Sequence, residues 1–175
     1  VYKLYFEKAG WNYKRYLNFR VKCLDESCIW QNLNRLRKRQ INKAIKNNVK
    51  LKEAKDLCDA EELYKILHQT YKFKVKKPLP EWQLFSLLYN SGFCKVFIIE
   101  ADNKIIGGHF CLFDDKVIYD WYGCGLDNEY KDYAPSTMAV YSALLYGAMN
   151  KLEYFDFMGA GTPDEQYGVR EFKSH

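Results

Sequence analysis

Three consecutive β-rich runs, at 94–101, 104–113 and 116–124, constrain this chain more than any other feature. Only Asp102-Asn103 and Asp114-Asp115 separate them, and spacers that short admit little but hairpin turns. The three runs therefore form an antiparallel meander. A polar loop at 125–133 leads to Pro135 and a helical pattern at 136–150, where proline's fixed φ and missing N–H suit the first turn. A further strand at 154–158 follows, and a strand that returns to its sheet through a helix does so by a crossover.

Upstream, residues 17–24 alternate as a strand and stop at Asp25-Glu26-Ser27. A long helix is expected over 29–47 with Ser27 as its cap, then a short strand at 49–53 and a helix at 60–71. A basic linker with two prolines spans 72–80, and a third helix 81–90. Helices, then a meander, then helix and strand give an α/β (α+β) domain, its mixed, mostly antiparallel sheet flanked by helices. Residues 1–16 read as an N-terminal extension or linker and 17–175 as the domain. Because the chain opens on Val1 and stops at His175, it is expected to be part of something longer.

With 175 residues, 48% of them hydrophobic, a continuous core can form without disulfide or metal staples. No run approaches the ~18 apolar residues of a membrane helix, and the charge-interrupted opening does not resemble a signal peptide. The six cysteines include no C-x-x-C pair, so zinc spacing is absent and no metal is expected. Cys111 and Cys124 fall in apolar strand patterns, as small hydrophobes do, and the chain reads as reduced and cytoplasmic.

The net charge is +5, and much of the positive charge is concentrated. On the first long helical pattern Arg35, Arg39, Lys43, Lys46 and Lys50 gather opposite Ile29, Leu33, Leu36, Ile41, Ala44 and Ile45. Such a face suits phosphates, and it equally suits a solvated surface. Arg37 and Gln40 fall inside the apolar arc, where a charge needs a partner. A structural ion pair is the first expectation for Arg37, and a cleft-facing phosphate ligand the second.

Candidate catalytic groups are few. Gly159-Ala160-Gly161 fails the dinucleotide fingerprint, because Asp164 occupies the third glycine position. His109 and Cys111, two apart on a strand, share a face and read as a packed pair. Asp120, among Tyr119, Trp121 and Tyr122, and Asp156, between Phe155 and Phe157, are carboxylates in aromatic strands. Desolvation there would raise their pKa toward the range of a general base or acid. The alternative for each is a carboxylate held by backbone amides or an arginine at a sheet end.

The meander with Ile105-Ile106-Gly107-Gly108, the crossover helix and the following strand resemble the core of GNAT-type acyltransferases. Three further pieces resemble the Fem family of peptidoglycan-bridge aminoacyltransferases. They are Arg39-Gln40-Ile41-Asn42-Lys43-Ala44 with Lys46, then Tyr154-Phe155-Asp156-Phe157-Met158-Gly159, then Gly168-Val169-Arg170-Glu171-Phe172-Lys173. The resemblance implies a GNAT-like fold and aminoacyl transfer from aminoacyl-tRNA to an amine of a lipid-linked or nucleotide-linked muropeptide. It implies no cofactor beyond the charged tRNA, and peripheral contact with the inner face of the membrane through a lipid-linked acceptor. The family's Phe-Lys pair falls on Phe172 and Lys173, the lysine helping to hold the tRNA end and steady developing negative charge. Asp120 and Asp156 complete the candidate catalytic set, and Arg37, Arg39, Lys43, Lys46 and Tyr122 the substrate-binding set.

Fem proteins usually carry two GNAT-like halves, and this chain has room for one, so it is expected to be a C-terminal half, the alternative being a single-domain relative with a different substrate. An acyl-CoA-dependent GNAT enzyme is the alternative. The interval after the meander, Gly125 to Tyr133, lacks the glycine-rich pyrophosphate loop and carries three acids, which makes acetyl-CoA the second choice of donor. A non-catalytic nucleic-acid-binding module is the third reading.

Overall fold

The computed structural model describes residues 2–164 and 168–174. A six-stranded sheet runs β1-β6-β5-β4-β3-β2. Its strands are β1 (Arg20–Lys22), β2 (Lys50–Glu53), β3 (Cys94–Ala101), β4 (Lys104–Phe113), β5 (Val117–Gly125) and β6 (Tyr154–Asp156). Every pairing is antiparallel except β5 with β6. The helices are α1 (Lys3–Lys8), α2 (Glu26–Asn32), α3 (Arg35–Lys46), α4 (Leu57–Thr70), α5 (Trp82–Ser91), α6 (Pro135–Met149) and α7 (Gly168–Lys173). The mixed, mostly antiparallel sheet flanked by helices is the architecture expected, and α6 is the crossover that makes β6 parallel to β5.

The meander forms where its turn residues direct it. Asp102 and Asn103 both take positive φ, at 51° and 59°, so Ala101 pairs with Lys104 across a two-residue turn. Asp114 folds its carboxylate back onto the amides of Lys116 and Val117, both at 2.8 Å, and closes the second hairpin.

The expected helix over 29–47 is two helices. Leu33 is extended, and the Asn34 side chain accepts from the Arg37 amide at 2.8 Å, starting α3 afresh. Asp25, not Ser27, caps α2 by accepting from the Cys28 amide at 2.8 Å. The basic stripe consequently ends at Lys46, and Lys50 moves into β2, where it pairs with Glu100 at 3.2 Å.

Two hydrophobic layers sandwich the sheet. Ile29, Ile41, Met138, Ala143 and Leu144 of α2, α3 and α6 pack with Phe97, Ile99 and Ile118 on one face. Leu63, Leu67 and Phe85 of α4 and α5 pack with Val96, Ile98 and Phe110 on the other. On that second face a Cβ on Gly108 would lie 2.2 Å from the Phe97 carbonyl oxygen of β3 and 2.8 Å from Leu63 of α4. Backbone cannot yield there as a flexible side-chain end can. Gly108→Val is expected to cost about 3 kcal/mol, read as a lower denaturant midpoint with unchanged m-value.

Among the described residues, no helix is long and apolar enough to cross a membrane, and all six cysteines are free.

Candidate active site

The site lies where the sheet's regular pairing is interrupted. A bulge between β4 and β5 pairs Phe110 with Tyr122 but Cys111 with Asp120, leaving Trp121 as the extra residue. Trp121 and Tyr122 thereby both pack on the α4–α5 layer. Asp120 keeps the opposite face, beside His109 and below α7. A cleft opens along this line, lined by Asp120, His109, Tyr122, Gly123, Phe172 and Lys173. Tyr71 and Val75, on a π-helical turn that continues α4 over Tyr71–Val75, form its far wall.

Lys173 reaches into the cleft from the end of α7. Its ammonium donates to the Phe157 carbonyl at 2.6 Å and the Gly159 carbonyl at 3.0 Å, and lies 3.4 Å from Asp120 Oδ2. His109 Nε2 lies 3.4 Å from Asp120 Oδ1. The three side chains form a nearly buried line, exposed by 7% at His109, 10% at Asp120 and 13% at Lys173. Burial pushes the imidazole below its usual pKa; Asp120 opposes that fall and Lys173 adds to it. The ring is thus neutral at neutral pH.

Side chains latch α7 onto this place. Arg37, on the inward side of α3, donates to Gln40 Oε1 at 3.0 Å, Thr137 Oγ1 at 3.2 Å and the Phe172 carbonyl at 3.3 Å. Its guanidinium also stacks 4.3 Å from the Phe172 ring centroid. Arg170 donates to the carbonyls of Ala160 at 3.0 Å and Pro163 at 3.2 Å, and to that of Thr162. The ion pair expected first for Arg37 does not form among the described residues: its partners are neutral oxygens and a ring, which satisfy its donors without a carboxylate.

Asp156 is not among the residues lining the cleft. Its carboxylate accepts from Asn18 at 2.7 Å, Arg20 at 2.6 Å and the Met158 amide at 2.7 Å, tying β1 to β6. Burial alone would raise its pKa, but the Asn18, Met158 and Arg20 contacts outweigh burial and hold it below the usual carboxylate range. The pKa rise expected from its aromatic neighbours is therefore corrected, and the sheet-end carboxylate weighed against it is what the fold contains.

The remaining predicted residues separate cleanly. Tyr122 lines the cleft, its ring 5.6 Å from Tyr71 and 5.4 Å from Phe85. Arg39, Lys43 and Lys46 lie with Arg35 and Lys38 along an open groove on the outer face of α3. Lys43 is tied to Asp132 at 2.6 Å, while Arg35, Arg39 and Lys46 form no ion pair among the described residues. From the sequence alone His109 reads as packing only. The signal for more was its place opposite Gly123 across the second hairpin, visible once the bulge is known.

One helix terminus bears on ligand choice. Ala134, at φ 43°, precedes Pro135 and offers no side-chain cap to α6. Asp127 supplies it instead, accepting from the Ser136 amide at 3.1 Å and from the Ser136 hydroxyl. A helix N-terminus is a ready anion site, and here a carboxylate of the chain itself occupies it.

The fold has solved counterparts. A FemX crystal structure superposes with a TM-score of 0.78 at 12% identity, over 97% of this chain and 63% of that one. This chain thus spans less than two thirds of the FemX structure's length. The C-terminal domain of a lysylphosphatidylglycerol synthetase homologue from Agrobacterium fabrum matches with a TM-score of 0.62 at 10% identity, over 91% of this chain and 52% of that one. An aminoglycoside acetyltransferase from an uncultured soil metagenomic sample, solved with trehalose, matches with a TM-score of 0.52 at 16% identity, over 73% of this chain and 84% of that one. At these identities the likeness is one of fold. No curated protein matches the chain significantly. The acetyltransferase (GNAT) domain family matches residues 34–174, a span that begins at the cap of α3 and ends just beyond Lys173. Basic helix, meander, crossover and α7 all fall inside that match, and the chain belongs to the GNAT family of acyltransferases.

Proposed function

We propose that the chain transfers an aminoacyl group from aminoacyl-tRNA to an amine of a peptidoglycan precursor. The observation that carries this reading is the α6 N-terminus, already filled by Asp127. A CoA pyrophosphate sought at that point meets a carboxylate, whereas α3 offers unpaired cations to a polyphosphate backbone. The same helix grips Phe172 through Arg37, so the surface that would hold the tRNA also braces Lys173.

In the proposed reaction the acceptor amine attacks the ester carbonyl at the tRNA 3′ end. A C–N bond forms, the C–O bond to ribose breaks, and the amine proton passes to the leaving oxygen by way of Asp120. Lys173 supplies positive charge beside that path and fixes the loop it bonds at Phe157 and Gly159. Since the chain spans 63% of the FemX structure it matches, a second GNAT-like unit is proposed to share the acceptor site.

The protein is expected to bind aminoacyl-tRNA with a slope of log Kobs against log salt of about −3, as four cations meeting phosphates would give. Calorimetric titration with acetyl-CoA is expected to give no micromolar binding. Tight acetyl-CoA binding, or failure to transfer from charged tRNA to a muropeptide, overturns the reading.

A further inference from the structure

His109 is the most anomalous side chain in the cleft. It is buried, and among the described residues its Nδ1 has no hydrogen-bond partner. The ring rests on Gly123, where a Cβ would stand 1.8 Å from its atoms. Glycine at that position is what lets an imidazole lie flat across β5. An apolar residue would fill the same space without an orphan nitrogen, so packing alone does not account for a histidine here. The feature that distinguishes it is Nε2, 3.4 Å from Asp120 Oδ1. Assigned from that neighbour, Nε2 carries the proton and Nδ1 the lone pair, because a bare Nε2 would face a carboxylate lone pair to lone pair.

Asp120 is then flanked on two sides, by His109 Nε2 near Oδ1 and the Lys173 ammonium near Oδ2, each at 3.4 Å. Both contacts are long, which leaves the carboxylate's other lone pairs open toward the cleft. We propose that His109 is a positioning residue of the transfer reaction, its Nε2–H aligning the Asp120 carboxylate to take the proton of the attacking amine. The inference rests on the aminoacyl-transfer reading above. As the amine nitrogen bonds to the carbonyl carbon, its proton moves to Asp120. When the ester C–O bond breaks, the electron pair stays on the ribose oxygen, which takes that proton, and Asp120 is restored. His109 neither gains nor loses a proton through the cycle; it acts only by fixing Asp120.

The test compares His109→Gln, which keeps an N–H donor near Nε2, with His109→Leu, which keeps the volume alone. With total aminoacyl-tRNA as donor and a lysine-containing muropeptide as acceptor, His109→Leu is expected to lower kcat at least about tenfold, the scale of proton-transfer effects, with KM for aminoacyl-tRNA unchanged. His109→Gln is expected to restore kcat to within about threefold, a recovery no packing role explains. Gly123→Ala, which displaces the ring, is expected to behave like His109→Leu. Independently of turnover, ¹⁵N NMR of histidine-labelled protein, assigned by difference with His109→Gln, is expected to show Nε2 protonated and Nδ1 bare. Wild-type kcat in folded His109→Leu, or a proton found on Nδ1, overturns the proposal. If the wild-type protein transfers nothing, the functional reading fails, and the NMR assignment still decides whether His109 donates to Asp120.

Discussion

Lys173→Met is expected to abolish most transfer while leaving the fold and tRNA binding in place. The ammonium donates to the Phe157 and Gly159 carbonyls and stands 3.4 Å from Asp120 Oδ2 as an ion pair. It fixes the loop after β6 and, in the proposed reaction, sets a positive potential beside Asp120 and over the reacting carbonyl. Loss of a preorganised group of this kind typically costs about 10²–10³ in kcat. Methionine keeps the stem's length and packing and removes the charge, so the change in denaturant midpoint is expected to be small beside the kinetic loss. Single-turnover transfer from preformed aminoacyl-tRNA complex measures the effect directly. A Lys173→Met enzyme that turns over at the wild-type rate would falsify the role assigned to Lys173.

The second large effect is on stability. Asp156→Ala removes a carboxylate that receives three hydrogen bonds at a sheet edge, and strands Asn18 and the Met158 amide without an acceptor. Arg20 is more than half exposed and returns to water at little cost, so its share is small. The expected loss is about 2–3 kcal/mol, most of it from the two neutral donors and the lost tie between β1 and β6. The pH dependence follows from the direction of the shift. The folded pKa lies below the ordinary value of 3.8. The contribution is thus fully present above the unfolded pKa and disappears as pH falls through the lower folded one. Acid denaturation of the wild type should accordingly steepen below about pH 4, and Asp156→Asn should flatten that limb.

How much of this was legible depended on the range of the interactions that decide each feature. The meander could be read because a two-residue spacer such as Asp102-Asn103 dictates both turn and register locally. The crossover could be read because α6 and β6 follow in order. The break at Leu33-Asn34 could not, since the apolar phase of α2 runs almost unbroken into α3 and only a cap contact separates them. Asp120, Tyr122, Phe172 and Lys173 meet in one cleft although the sequence offered them separately. Asp156 misled for the opposite reason: its sequence neighbours are aromatic, but its partners Asn18 and Arg20 lie 138 and 136 residues away. His109 stayed hidden because a one-residue bulge at Trp121 resets which side chains of β5 it meets.

The way α7 is fastened has a consequence for how conditions act on the protein. Arg37, Arg170 and Lys173 all hold it by donating to carbonyl oxygens, contacts between an ion and a dipole at close range. Mobile ions screen such contacts little, whereas they screen the open charges of α3 strongly. On the proposed reading, ionic strength is expected to govern how often the site is filled and to leave nearly untouched how fast a filled site reacts. Occupancy and turnover are then expected to answer to different features of the solvent, although α3 carries both the open cations and Arg37.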